Sequence, residues 1–309
     1  MRRLSSRRRG IALVLVLWLI VVLGAVAATV IAASRSGSEV LINARARVVA
    51  RYAAESGIVA GRAVLGRLGF SLPAQQVLAM SGLDGAMQDL RQVDLGSGRF
   101  GVTVTNLNAR LDLNQADPEA IVGLLSQFTS RGTAQAVSDA LLDWRDGDDL
   151  VRAQGAEKDA YQRAGSAYVP RNAPLTRWDE FLRIRGVTGS LANRVAPYVT
   201  VNGDFRLDVN AASEPVLAAF PAIGQEGARQ IIARRRSGPF TSVSEALKLL
   251  RTGSTSADPV LPRLIVAPSR LLLTSRGWMP GHPLTHEVQA VYALDGRHLT
   301  LVYWRERDL

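Results

Sequence analysis

Six carboxylates fall within one short central stretch: Asp143, Asp146, Asp148, Asp149, Glu157 and Asp159. Asp146-Gly147-Asp148-Asp149 places alternating carboxylates on a turn that glycine keeps flexible, and Gly155-Ala156-Glu157 can return a later carboxylate to the same place. Hard cations such as Ca²⁺ take about six to eight oxygen ligands and tolerate irregular loops, so the pattern suits calcium. No histidine or cysteine stands nearby, which argues against zinc. The spacing is not that of an EF-hand. A solvated acidic loop, neutralised by Arg145, Arg152 and Lys158, is the competing reading of the same residues.

The rest of the chain offers little for catalysis. His282, His286 and His298 are its histidines, and adjacent His286 and Glu287 would face opposite sides of a strand. No nucleophile elbow or phosphate loop occurs. The absence of cysteine excludes a disulfide framework, a thiolate metal site and a cysteine nucleophile. The expectation is a protein that is not an enzyme.

A net charge of +10 suggests an anionic partner, but half of it comes from Arg2, Arg3, Arg7, Arg8 and Arg9. A second basic run, Arg234-Arg235-Arg236, follows Pro221-Ala222-Ile223-Gly224 in a segment that resembles a helix-hairpin-helix unit. In DNA-binding units of that kind, backbone N–H groups of a glycine-rich hairpin hold a phosphate. Here Ala222 replaces the first hairpin glycine and Glu226 sets an anion near the phosphate position. Nucleic acid is therefore not the expected partner, and a membrane-anchored DNA receptor is the alternative function.

Whatever these residues do, the elements that hold them start at a membrane. Arg7-Arg8-Arg9-Gly10 gives way to an uncharged apolar run from Ile11 to Ala33, longer than the roughly 20 residues a helix needs to cross a bilayer. The arginine excess predicts a cytoplasmic N-terminus, with the chain after Ala33 on the other side. The run is long for a cleaved secretory signal, whereas a plain membrane anchor fits its length and flanks. A third reading rests on Gly10, between the basic leader and the first apolar residue. Arg-Gly followed by Ile-Ala-Leu-Val-Leu resembles the type IV prepilin class, whose leader is cut after that glycine. The resemblance makes Gly10 and Ile11 the processing site of a prepilin peptidase, with Ile11 the mature and methylated N-terminus. That class usually carries glutamate at the fifth mature residue, where a carboxylate in hydrocarbon needs a neighbour's amine as partner. Leu15 stands there instead, so an ordinary repeating pilin is not expected.

Leu41, Val48, Tyr52, Val59 and Ala63 recur at helical spacing, which predicts that the helix continues to about Leu68 with this stripe against a globular head. Phe100, Val102 and Val104 alternate with smaller residues as in a half-buried strand. Leu271–Thr274 reads as another. Val288, Ala290 and Tyr292 alternate before Asp295-Gly296, and Leu299, Leu301 and Tyr303 after it, as in a hairpin.

Between these strands lies an internal repeat. Leu111-Asp112-Leu113-Asn114 is echoed by Leu207-Asp208-Val209-Asn210, and each leads into a proline-bearing helix start, Asp117-Pro118-Glu119 and Ser213-Glu214-Pro215. Pro174-Leu175-Thr176 with Glu180 is echoed by Pro239-Phe240-Thr241 with Glu245. The interval between the two phrases is longer in the first copy. Its extra segment lies between about Leu142 and Arg171 and carries the carboxylates. Gly186-Val187-Thr188-Gly189 is the candidate counterpart of the hairpin at 221–224.

The order of these phrases, from a prepilin leader without the glutamate to the terminal strands, resembles the K-type minor pseudopilin family of type II secretion over nearly the whole chain. The resemblance implies an α+β, type IV pilin-like fold: a long N-terminal helix plus antiparallel sheet, with a large inserted all-α domain containing a duplicated helix-hairpin-helix/SAM-like unit. The expected divisions are a cleaved leader (1–10), a transmembrane assembly helix (11–33) and the first part of the pilin-like domain (34–110). An insert (111–262, with repeats at about 111–200 and 207–250) and C-terminal strands (263–309) follow. The resemblance also implies structural Ca²⁺ in the acidic segment. It implies a subunit that caps or initiates the pseudopilus tip and supports export of folded proteins across the outer membrane. I-type and J-type minor pseudopilins, the prepilin peptidase and the inner-membrane secretion platform are the implied partners. The implied location is the bacterial inner membrane, single-pass, with the head in the periplasm.

Overall fold

A computed structural model of the chain describes residues 7–71, 82–250, 263–295 and 298–309. Helix α1 (Arg7–Ser71) runs for 65 residues, about 98 Å at 1.5 Å per residue. Its segment Ala12–Thr29 has a mean hydropathy of 2.8 and is wholly unburied, and among the described helices it alone is long and apolar enough to cross a membrane. One membrane-compatible helix at the N-terminus fits single-pass anchoring.

Beyond that segment α1 lies on an antiparallel sheet ordered β1 (Val93–Leu95), β2 (Gly98–Asn106), β7 (Arg270–Trp278), β8 (Thr285–Asp295) and β9 (His298–Asp308). A short helix α2 (Gly82–Ala86) precedes β1. The helix presents small residues to the sheet: Ala46, Ala50, Ala53, Ala54, Gly57 and Gly61, with Ile58 and Leu65. Small side chains let the backbones approach closely, and Gly277 of β7 sits against Ala50 and Ala54. The stripe expected to pack inward is on the other side: Leu41, Val48, Tyr52 and Val59 are all more than half exposed. Large apolar residues were the wrong marker, because this interface is selected for closeness rather than for side-chain volume.

The strands fall where alternation placed them. Phe100, Val102 and Val104 of β2 join Leu271, Leu273, Val288, Ala290 and Tyr292 in one core under α1. The β8–β9 pairing brings Asp295 opposite His298, and the expected turn residue Gly296 lies outside the described residues. A bulge breaks the alternation in β9: Tyr292 pairs with Leu301 while Val291 pairs with Tyr303, leaving Val302 as the extra residue. Leu299, Leu301 and Trp304 therefore share the α1 side, and Tyr303 turns to the opposite face.

Everything from β3 (Leu111–Asp112) to β6 (Leu264–Ile265) is inserted between β2 and β7. Contacts between α1 and β7 fix where this insert leaves the sheet. Gly277 meets Ala50 and Ala54, Ser275 meets Gly57, and Leu273 meets Gly61. The helix and β7 run in opposite directions, so the start of β7 and the end of β2 lie toward the end of α1 farthest from Ala12–Thr29. The insert leaves and rejoins the sheet at that far end, and its Asp179 reaches to 3.8 Å from Arg305 in the middle of β9.

The insert is two copies of one design around a single large core. In the first copy, β3 is followed by α3 (Pro118–Leu125), α4 (Arg131–Arg145), α5 (Lys158–Arg163), a 3₁₀ turn at Trp178–Arg183, α6 (Gly189–Val195) and β4 (Val199–Thr200). In the second, β5 (Leu207–Asp208) is followed by α7 (Glu214–Ala218), α8 (Gly224–Arg235), α9 (Val243–Leu250) and β6. β3 pairs in parallel with β4, and β5 with β6. The second copy thus closes at residues 264–265, a few residues past the boundary expected at 262.

The repeated phrases do the same work twice. Asn114 accepts from the Leu175 N–H at 2.8 Å and donates to the Leu175 and Val201 carbonyls. Asn210 does this with Phe240 and Val266. Asp112 and Asp208 each accept from the backbone N–H two residues on, an Asx turn. Arg145 binds the Leu113 and Ala116 carbonyls, as Arg235 binds those of Val209 and Ala212. This pairing aligns α4 with α8, so the counterpart of the hairpin at 221–224 is the turn at 126–130, capped by Ser130. Gly186–Gly189 instead leads into α6, whose cap is Thr188.

Candidate functional site

The sequence places Asp139 and Asp143 one turn apart on α4, so both reach the same side of it. Asp143 is fully buried, with its carboxylate 3.2 Å from the Arg152 N–H and 3.3 Å from Arg152 Nε. Asp139, a residue that spacing on α4 could have revealed, accepts from the Gln154 N–H at 3.1 Å. The two carboxylates thereby wind the chain from 152 to 156 across the helix. Gly155 is required there, since a Cβ would stand 1.9 Å from Asp143 Oδ2.

The remaining acids gather at the helix end. Asp146 caps α4 and takes Arg152 Nη2 at 2.9 Å on Oδ2, while its Oδ1 is buried without a partner. Asp148 accepts from the Leu150 N–H, and Asp149 from the Asn172 side chain, each at 2.9 Å. Glu157 is the N-cap residue of α5 but makes no capping bond, and both its oxygens are buried without partners. Its carboxyl is pushed up to about 7, by burial first and then by repulsion from Asp143, Asp146, Asp149 and Asp148. Burial also raises Asp143, against the pull of the Arg152 and Ala156 N–H groups.

Five of the six sequence candidates are therefore brought into one electrostatic neighbourhood. Asp159 differs from them in lying on the exposed side of α5. Arg152 is the cation that pairs with the cluster. Arg145 turns away to the Leu113 and Ala116 carbonyls, and Lys158 is exposed. Among the described residues no three acidic or histidine side chains already stand at ligand spacing around one point. Still, three unpartnered buried carboxylate oxygens suit a hard cation, and no soft donor is present.

The arginine run finds other employment. Arg234 pairs with Glu245, donates to the Gly238 carbonyl and stacks over Phe240, while Arg235 is held inside the repeat. Arg236 alone of the three is exposed. His286 lies between Asp308 and Glu306, and Glu287 on the opposite face is clamped by Arg276 and Arg307.

A polar junction that no motif announced joins insert to sheet. Asn108 accepts from the Ser269 and Arg270 N–H groups and donates to Asp204 at 2.7 Å and to the Arg206 carbonyl. Asn106 donates to Asp208 at 2.8 Å. At the other end of the chain, Gly10 and Ile11 lie in the first turns of α1, and Leu15 is exposed within the apolar segment.

Two family models, each for type II secretion system protein K, match this chain, one over residues 102–204 and the other over 207–266. Type II secretion system protein K of Klebsiella pneumoniae is 27% identical over 292 residues, 88% of each chain. That of Pseudomonas aeruginosa PAO1 is 30% identical over 169 residues, 52% of this chain and 49% of the relative. Among solved structures, one chain in the crystal structure of the GspK–GspI–GspJ complex from the enterotoxigenic Escherichia coli type 2 secretion system has the same fold. The TM-score is 0.68 at 16% identity, over 89% of this chain and 99% of that one.

Proposed function

This chain belongs to the type II secretion system protein K family, the minor pseudopilins, and on that premise we propose that it forms or initiates the tip of a pseudopilus. The observation that carries the reading is where the insert joins the sheet, at the end of the head farthest from the apolar segment of α1. A repeating subunit must leave room for a neighbour above it, and here that space is filled by two helical repeats. Leu15 points the same way, because a subunit without the acidic residue cannot offer that carboxylate to a neighbour's amine. The head faces the periplasm, and the leader is cut between Gly10 and Ile11 by the prepilin peptidase. The inner-membrane platform and the I-type and J-type minor pseudopilins are the partners; the solved structure of like fold is of a GspK–GspI–GspJ complex.

Calcium has a structural role in this reading. Glu157, Asp146 and Asp143, with Asp148 or Asp149, would hold the ion, and Asp159 would stay outside. When bound, the ion supplies the positive charge that Arg152 alone leaves wanting among four clustered aspartates and a partnerless glutamate. The residues themselves orient the 152–156 segment on α4.

The test is assembly in cells. Deleting the gene should abolish export and leave fewer pseudopili, and the intact chain should co-purify with I-type and J-type subunits. A chain found along the whole fibre in immunogold images, at stoichiometry near the major subunit, would overturn the tip role.

A further inference from the structure

The two repeats differ at one corresponding place. Aligning Arg145 with Arg235 sets Leu141 and Leu142 of α4 against Ile231 and Ile232 of α8, and the helix cap Asp146 against Arg236. Leu141 and Ile231 are both fully buried, as the alignment requires. The next residues part company: Leu142 is 7% exposed, whereas Ile232 is only half-buried and lines an open cleft of about 550 Å³. Its walls come from both parts of the protein, Leu83 and Asn106 of the head and Arg236, Pro239 and Val266 of the insert. Two other charged residues beside the cleft are committed, Asp208 to the Asn106 side chain and Arg235 to the Val209 and Ala212 carbonyls. Arg236 is exposed and has no partner among the described residues.

We infer that this cleft takes a non-helical segment of a neighbouring minor pseudopilin, with a carboxylate on Arg236 and an aliphatic side chain over Ile232. Repeat one is the guide to that occupant. There the chain leaves α4 into the acidic segment, which returns non-helical at 152–156, and its Arg152 donates to Asp146 at 2.9 Å. One oppositely charged side chain thus closes the end of α4 from a segment laid beside it. Repeat two has no segment of its own for this, because the chain passes from α8 through Gly238 and Pro239 to Phe240, which Asn210 holds. Its cap residue carries the opposite sign, so the side chain that closes it is acidic. The walls add an aliphatic requirement, since Leu83, Ile232, Pro239 and Val266 all stay partly wet while the cleft is open. Leu83 and Asn106 belong to the head, so the occupant stands beside the head at the level where the insert joins it. A chain anchored in the same bilayer can reach that level. The inference rests on the partner reading above and adds to it a contact on the insert.

The experiment keeps the intact chain in its membrane, co-expressed with the I-type and J-type pseudopilins of the same system. A photo-crosslinking residue is placed at Ile232, at Leu83 and, as a control outside the cleft, at Leu182. Crosslinks to one pseudopilin are expected from 232 and 83 and not from 182, and mass spectrometry should map them to a segment that contains Asp or Glu. Arg236→Glu should lower co-purification of that partner about tenfold, through repulsion between like charges. Its melting temperature should stay unchanged, which separates lost docking from lost folding. Changing the mapped acidic residue of the partner to Arg should restore capture by Arg236→Glu. If the wild-type chain captures the partners and Arg236→Glu captures them equally, the cleft is wrong and the partner reading stands. If the wild-type chain captures neither pseudopilin, both fail. A crosslink from 232 to a segment without a carboxylate, or only to a second copy of this chain, also overturns the inference.

Discussion

Gly277 of β7 lies against the backbone of Ala50 in α1, so close that a Cβ at Gly277 would stand 2.2 Å from the Ala50 carbonyl oxygen. The Ala54 nitrogen is only 2.4 Å from the same point. Backbone atoms of a long helix cannot yield locally, so Gly277→Ala should destabilise the head by about 3 kcal/mol. Gly66→Ala, where nothing lies within 4 Å, should stabilise it by up to about 1 kcal/mol through helix propensity. Thermal melting of the detergent-purified chain compares the two.

That contact explains what the sequence disclosed and what it hid. Alternation in Phe100, Val102 and Val104 is a strong signal because it follows from the two faces of a strand, and the strand lies there. The Asp-x-Asn phrases were legible because each asparagine spans two backbone segments, a task no other side chain of that size performs. The α1 stripe misled because Leu41, Val48, Tyr52 and Val59 have the periodicity of a core face, whereas alanine and glycine carry little hydrophobic signal. The acidic segment was visible as composition. Its geometry was not, because the burial of Glu157 depends on α5 folding back to α4, which local spacing does not encode.

The paired arginines give a second prediction. Arg145→Ala and Arg235→Ala each remove a guanidinium that serves two carbonyl groups in corresponding places of the two repeats. Buried acceptors left without donors cost about 1–3 kcal/mol each, so either change should lower stability by about 2 kcal/mol or more. Lysine should restore less than half, because it lacks the fork that reaches both acceptors. Exposed Arg236→Ala should fall within about 0.5 kcal/mol of wild type. Denaturant unfolding monitored by tryptophan fluorescence reads all five variants.

Asp112 predicts a pH dependence. Its carboxyl is pushed up to about 6, chiefly by burial, and its Oδ2 has no partner. In repeat two the same oxygen of Asp208 is satisfied by Asn106. The unfolded chain ionises near 3.8 and the folded chain only near 6, so stability is greatest below 3.8 and is lost as pH rises toward 6. The full difference is about 3 kcal/mol at 1.36 kcal/mol per pH unit. Asp112→Asn keeps the acceptor for the Asn114 N–H and removes the charge. It should therefore stabilise the chain at pH 7.5 and flatten its stability profile between pH 4 and 6; an unchanged profile would assign the dependence to other carboxyls.

Glu157 makes the strongest claim on calcium, because its two oxygens have no protein donor and its neighbours Asp143, Asp146, Asp148 and Asp149 all repel it. Without the ion, Glu157→Gln should stabilise the chain, since an uncharged amide relieves the repulsion. With the ion, the same change should destabilise it relative to wild type, since a ligand is lost. Wild-type stability should rise by about 2–3 kcal/mol at Ca²⁺ a hundredfold above its Kd, and chelation should reverse the gain. Asp159→Asn should respond to calcium as wild type does, because Asp159 stands outside the cluster. Gly155→Ala should lower stability with or without the ion, because its Cβ would displace the Asp143 carboxylate. This crossing of signs at Glu157, read by melting in chelator and in calcium, separates an ion-held segment from a merely solvated one: a solvated acidic loop gives the same small effect under both conditions.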